Sequence, residues 1–248
     1  MMACRGNENK GEADGGQDTS DVASSPVTVS SVADTTSSAR HILFPNVAYR
    51  IYSEQDRVSP VIEEGEWYEL FNMKGFDFED YMLQTAFWYV EDIAEEPCSG
   101  MPGEMLIPGM KDRTQLFIKV PGLFDGGVKV YPTTHGVLSA GESLPFGDDE
   151  SYKLTASGTD FRAIDEGAEG IFYLDFYEND KLVQRLIEQS EYRNTKTEVF
   201  GIFDLNDDDR PDFILSSPRN DKEYRIIIWL SGENRYTRYE EALEFDDC

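Results

Sequence analysis

From residue 41 onward the chain keeps returning to one pattern. Four to eight residues rich in aromatic and β-branched side chains are followed by a cluster of Gly, Pro, Asn, Asp or Ser. Such runs are too short for ordinary helices and match strands closed by turns. Residues 47–52, 66–71, 85–90 and 115–120 fit, as do 197–203, 213–216 and 224–230. The clearest pair is 171–177 and 181–188, which flank Glu178-Asn179-Asp180, a hairpin turn by its chemistry. Helical candidates are confined to residues 76–83 and 238–245. Leu182, Leu186 and Ile187 fit a helical period as well as a strand period. Residues 100–109 read as a loop whose Met101 and Met105 fill a gap rather than bind a metal. No fixed-period repeat is visible, which disfavours a propeller or a solenoid. The expected fold is mostly β: an antiparallel β-sandwich or barrel-like domain over residues 41–248, with few short helices.

Residues 1–40 read as a disordered tether. Between residues 5 and 38 there is no aromatic side chain, and Ser, Thr, Gly, Ala and Asp dominate. That composition cannot bury enough surface to offset chain entropy. The opening Met1-Met2-Ala3-Cys4 resembles the end of a bacterial lipoprotein signal, a small residue ahead of a lipidated cysteine. The apolar stretch that precedes such a cysteine is missing from these residues. A lipid on Cys4 would be the chain's sole route to a membrane. It would leave Cys98 and Cys248 as a candidate disulfide in an oxidising compartment. The three cysteines form no Cys-x-x-Cys pair and meet no histidine cluster, so a zinc site is not expected.

Charge narrows the function classes. There are 49 acidic residues against 22 basic ones, a net charge of −27, with a pI near 4.2. Such a surface repels phosphate backbones and anionic headgroups, so no nucleic-acid partner is expected. Divalent cations would offset part of the self-repulsion.

One segment carries chemistry. Asp204-Leu205-Asn206-Asp207-Asp208-Asp209-Arg210-Pro211-Asp212 places oxygen-bearing side chains at alternate positions between two apolar runs. Ca²⁺ takes six to eight oxygens, and a chain curling round it turns every second side chain inward. The candidate ligands are Asp204, Asn206, Asp208, the carbonyl of Arg210, and Asp212. The cofactor expected is Ca²⁺. Leu215 stands where an EF-hand needs its bidentate Glu, and strands rather than helices flank the loop.

The segment resembles the calcium loops of FG-GAP and VCBS repeats, which read Asp-x-(Asp/Asn)-x-Asp-Gly-x-x-Asp between strands. The order of this loop, Phe213-Ile214-Leu215, Ile226-Ile227-Ile228-Trp229-Leu230-Ser231 and a terminal Cys248 is similar to a group of bacterial exported proteins without a known activity. Residues 115–119, 141–146 and 152–158 fit that group more loosely. The resemblance implies a fold and a cation, not a reaction. Two positions depart from it: Asp209 and Asp207 stand where glycine is common, and Asp tolerates a left-handed backbone better than most residues.

Catalysis is poorly supplied. His41 and His135 are the sole histidines, His135 reads as a turn residue, and no Gly-x-Ser-x-Gly elbow occurs. Pairs such as Glu63-Glu64, Glu95-Glu96 and Asp148-Asp149-Glu150 read as solvated surface rather than a glycosidase dyad. Trp67, Tyr68, Trp88 and Tyr89 would suit sugar stacking or, as alternating strand residues, core packing. The expectation is a non-enzymatic, calcium-binding exported protein, a periplasmic or outer-surface lipoprotein whose ion is mainly structural. The alternatives are a carbohydrate- or protein-binding module at the cell surface, and a hydrolase of cell-envelope glycans.

Overall fold

A computed structural model describes residues 40–244, apart from 64, 74–80, 96–99, 110–112, 134–135, 160–169 and 191–195. The expected tether before Arg40, all three cysteines and His135 lie outside the described residues. The described strands begin with β1 (Ile42–Leu43), β2 (Ala48–Arg50), β3 (Tyr68–Asn72), β4 (Tyr81–Thr85), β5 (Trp88–Ile93) and β6 (Gly103–Pro108). They continue with β7 (Thr114–Ile118), β8 (Gly126–Val130), β9 (Val137–Leu138), β10 (Ser143–Phe146), β11 (Tyr152–Gly158) and β12 (Phe172–Glu178). The last are β13 (Lys181–Gln189), β14 (Thr197–Asp204), β15 (Asp212–Ser216), β16 (Glu223–Leu230) and β17 (Thr237–Glu244). The described helices are a 3-10 turn at Glu54–Asp56 and α1 (Ser59–Glu63).

The described residues are mostly β, with antiparallel sheets nearly closed into a barrel-like shape. A ten-stranded sheet runs β1-β7-β3-β4-β8-β14-β15-β16-β17, with β9 added on β14. Its two ends meet without pairing. Arg40 Nε lies 3.7 Å from Glu241 Oε1, and the His41 and Tyr239 rings pack edge to face at 5.0 Å. A four-stranded sheet, β10-β11-β12-β13, and a three-stranded sheet, β2-β6-β5, complete the described strands.

The uninterrupted apolar runs in β15 and β16 follow from their position, because both faces of these strands are covered. Ile214, Ile226 and Ile228 join one core with Leu70, Leu83, Leu116 and Phe117. Phe213, Leu215, Ile227 and Trp229 join a second core with Leu154, Leu174 and Phe176 of the four-stranded sheet. Each fully buried side chain of this size contributes about 1.5–3 kcal/mol. In β14 a bulge between Val199 and Gly201 resets the alternation, so that Ile202 faces the second core and Phe203 the first.

The predicted hairpin is present. β12 pairs with β13 so that Glu178 faces Lys181. Asn179 and Asp180 both take positive φ, 49° and 61°, as a two-residue primed turn requires.

Three sequence expectations are corrected. Residues 238–244 lie in β17 rather than in a helix, and all eight residues of that strand pair with β16. Of the helix expected at 76–83, residues 81–83 lie in β4 and 76–80 lie outside the described residues. The loop expected at 100–109 contains β6, the central strand between β2 and β5. Glycine suits β6 because a Cβ on Gly103 would come within 3.0 Å of the Tyr49 carbonyl oxygen.

The short helical segment absent from the sequence reading, 54–63, is held by one buried acid on β6. Glu104 accepts hydrogen bonds from the Val58 amide at 2.7 Å, the Ser59 amide at 3.0 Å and the Ser59 hydroxyl at 2.8 Å. Arg57 Nη1 pairs with it at 2.7 Å. Burial works to raise this carboxyl, but these donors outweigh it and hold the carboxyl below the ordinary Glu range.

Candidate metal centre

β14 and β15 form an antiparallel hairpin in which Phe203 faces Asp212. The oxygen-rich segment is the loop of that hairpin, so two rigid strand ends set its mouth. Asp204 and Asp212 stand at those ends and are buried, whereas Asp207, Asp208 and Asp209 form an exposed tip. Leu205, fully buried, anchors the first turn of the loop. Asp207 and Asp209 both adopt left-handed backbone, φ 57° and 61°. The two positions where the resembled loops favour glycine therefore keep the glycine-like conformation, at some steric cost.

The carboxylates organise the loop. Asp204 accepts the amides of Asp208 at 3.0 Å and Asp209 at 2.9 Å, one on each oxygen. Asp208 Oδ1 accepts the Arg210 amide at 3.0 Å. Asp212 accepts the amides of Leu205 and Ser231, both at 2.6 Å. Burial pushes the Asp212 carboxyl up to about 7, against the pull of the Ser231 and Leu205 donors, and the charge of Asp208 adds to the rise. Arg210 turns its guanidinium outward from the loop, donating to the Gly232 carbonyl and lying over the Tyr236 ring at 5.2 Å. Its side chain therefore neutralises neither buried carboxylate.

Residues outside the segment complete the surroundings. Lys129 Nζ, opposite Asp204 in the β8–β14 register, reaches Asp209 Oδ1 at 3.1 Å. The Tyr131 hydroxyl donates to the Asp209 carbonyl at 3.0 Å. Ser231 donates its hydroxyl to both Asp208 oxygens at 2.9 Å. Asn206 Nδ2 donates to the Ser231 carbonyl at 3.0 Å, which fixes the amide orientation, because a carbonyl can only accept. The other end of that amide, Asn206 Oδ1, is buried and has no hydrogen-bond partner.

No known protein family, curated protein or solved structure matches the chain.

All five sequence-predicted site residues thus lie in one hairpin loop, but the described side chains do not converge. Among the described residues no group of three or more His, Cys, Asp or Glu side chains is placed to hold a metal. The carboxylate oxygens face amides of the loop and the amide and hydroxyl of Ser231; Asp208 Oδ1 accepts two donors, and each of the others accepts one and keeps a lone pair. The donor set nevertheless fits a hard cation. It is all oxygen, strongly anionic, and includes a buried amide oxygen that no protein donor satisfies. Tyr131, Lys129 and Ser231 were not legible as parts of this site. Lys129 lies on β8, Tyr131 directly follows that strand and Ser231 directly follows β16, and no local spacing connects them to the loop.

The aromatics considered for sugar stacking divide. Trp67 is buried and packs against Trp88, and Trp88 lies edge-on to Phe117 in the core at 4.6 Å. Tyr68 is half-buried on β3. Tyr89 alone of the four is exposed, at 60%, beside Phe87 at 73%. Asp148, Asp149 and Glu150 are exposed, as expected of solvated surface acids.

Proposed function

We propose that this chain is a non-enzymatic, calcium-stabilised exported protein whose β14–β15 loop takes up Ca²⁺ through Asp204, Asn206, Asp208, the Arg210 carbonyl and Asp212. The observation that carries this reading is the buried, partnerless Asn206 Oδ1 within an alternating set of oxygen donors. A neutral amide oxygen in that position lacks an internal donor, and a hard cation is the partner its chemistry fits. The left-handed Asp207 and Asp209 support the kinship with FG-GAP and VCBS loops, since they reproduce the turn that glycine provides there. The net charge of −27 suits a cation-rich extracellular or periplasmic setting. The Ala3-Cys4 pair suits a lipoprotein attached there through Cys4.

The ion's role in this reading is structural. The loop ties β14 to β15, and its neighbours tie both to the turn after β16. Isothermal titration of the full chain with calcium chloride tests the assignment. One site is expected, lost in Asp204→Ala and in Asp208→Ala. The absence of binding heat in the unsubstituted protein overturns it.

A second reading, a glycan- or protein-binding module, has one observation in its favour. Phe87 and Tyr89 are exposed next to or on β5, an edge strand of the three-stranded sheet. Glycan-array binding that disappears in Phe87→Ala and Tyr89→Ala would support that class. Binding unaffected by both substitutions would remove it.

A further inference from the structure

Ser231 meets three of the five candidate ligands, each through a different group. Its amide donates to Asp212 Oδ1 at 2.6 Å. Its carbonyl accepts from Asn206 Nδ2 at 3.0 Å. Its hydroxyl donates to Asp208 Oδ1 and Oδ2, both at 2.9 Å. The residue itself is buried, 4% exposed, and it follows directly on β16, whose Leu230 ends the run of core side chains. A buried residue at the end of a doubly covered strand has little freedom, so the groups it holds inherit its position. Its neighbour Gly232 accepts the Arg210 guanidinium, adding a fourth tie between the turn and the loop.

We infer that Ser231 is the positioning residue of the loop's cation site. It orients Asp208, Asn206 and Asp212 from a different hairpin and so couples ion uptake to the β16–β17 turn. This rests on the calcium reading of the loop. Hydrogen-bonded residues behind metal ligands fix ligand orientation, and losing one typically costs about 10–100-fold in affinity. Asp208 Oδ1 accepts the Arg210 amide as well as the hydroxyl, whereas Oδ2 accepts the hydroxyl alone and keeps a lone pair, so the bond directs the carboxylate and leaves Oδ2 open to an ion. Asn206 works the same way from its other end. With Nδ2 tied to the Ser231 carbonyl, Oδ1 is the end of the amide left for an ion.

Calcium titration by calorimetry of the full-length chain tests this, with melting in chelator as the control for folding. Ser231→Ala removes the hydroxyl alone and is expected to raise the calcium Kd about tenfold, with little change in melting when chelator is present. Ser231→Thr restores the hydroxyl and should return the Kd to near the unsubstituted value. Asn206→Asp separates positioning from ligation. As a ligand Asp equals or exceeds Asn, but it loses the donor to Ser231 and sets a carboxylate oxygen against a carbonyl, so affinity should fall. If Ser231→Ala does not melt cooperatively in chelator, the Ser231→Thr and Asn206→Asp pair decides. An unsubstituted chain that binds calcium, with Ser231→Ala equal or tighter, or with Asn206→Asp tighter, overturns the inference alone. An unsubstituted chain that binds none overturns the calcium reading itself.

Discussion

Replacing Glu241 with Gln should make this protein more stable at alkaline pH and leave it unchanged in acid. Glu241 lies on β17 where that strand runs beside β1, and its side chain is 13% exposed. Burial pushes its carboxyl from 4.5 up to about 7; Arg40 pulls it down and Glu240 pushes it further up. From β2, Tyr49 also faces this pair, with the Arg40 guanidinium over its ring at 5.5 Å, and the charge of Glu241 helps to raise its hydroxyl. The folded protein therefore holds the Glu241 proton more tightly than the unfolded chain does. The resulting penalty is absent below pH 4.5, grows between 4.5 and about 7, and is complete above that. The interval from 4.5 to 7, about 2.5 pH units, corresponds to about 3 kcal/mol at 1.36 kcal/mol per unit. Gln fills the same volume and can still accept from Arg40 but cannot ionise. Guanidinium chloride unfolding of both proteins across acid to alkaline pH, at constant calcium, reads the difference directly. The variant should be ahead by about 3 kcal/mol above pH 8, with the gap closing towards pH 4.5. A gap that stays constant, or that opens towards acid, refutes the reasoning.

Other substitutions probe separate parts of the fold. Gly201→Ala places a Cβ into the buried Phe203 ring and should cost about 1–3 kcal/mol as overpacking, read as a lower midpoint in denaturant. Glu104→Ala leaves the amides of Val58 and Ser59 without their acceptor, while Arg57 keeps Glu54. About 3 kcal/mol should be lost through the stranded amides, or roughly 6–12 °C in Tm for a domain of this size. Because the Glu104 carboxyl is held below 4.5 when folded, its contribution is full above pH 4.5 and lost as pH falls below it; the variant should therefore show a shallower acid limb. Asp209→Gly relieves a left-handed residue and removes an exposed pair with Lys129. Melting in chelator should rise by about 1–3 °C with calcium binding retained, and a fall in Tm would contradict the strain argument.

The parts of the fold legible in sequence are those where local chemistry and long-range packing agree. Phe213-Ile214-Leu215 and Ile226-Ile227-Ile228-Trp229-Leu230 read as strands because two cores cover their two faces. Asn179-Asp180 reads as a turn because both residues accept the positive φ it needs. The failures occur where the two disagree. In β17, Glu240-Glu241-Ala242-Leu243-Glu244 favours a helix by intrinsic propensity. Pairing Tyr239 with Ile228 and Leu243 with Tyr224 depends on a neighbour the segment cannot announce. β8 begins Gly126-Gly127 and β6 is bracketed by Gly103 and Pro108, so both look like punctuation. In each, a tight approach to a neighbouring strand or ring explains a glycine.

The site divides along the same line. Its five alternating oxygen donors follow from residues 204–212 alone, and its strand-flanked setting from the apolar runs at 197–203 and 213–216. The Arg210 side chain, which turns away to Gly232, and the anchor at Ser231 depend on the β16–β17 turn folding back on the loop. Sequence separation of 19 residues or more hides such partners.

The central claim, a calcium ion held by the folded loop, is tested most directly by thermal melting of the full chain in calcium and in chelator. An ion bound to the folded state alone stabilises by RT ln(1 + [Ca²⁺]/Kd), about 2.7 kcal/mol at one hundred times Kd. For a domain of this size that is a rise of roughly 5–10 °C, absent from Asp204→Ala and Asp208→Ala. Identical melting in calcium and chelator would contradict the account.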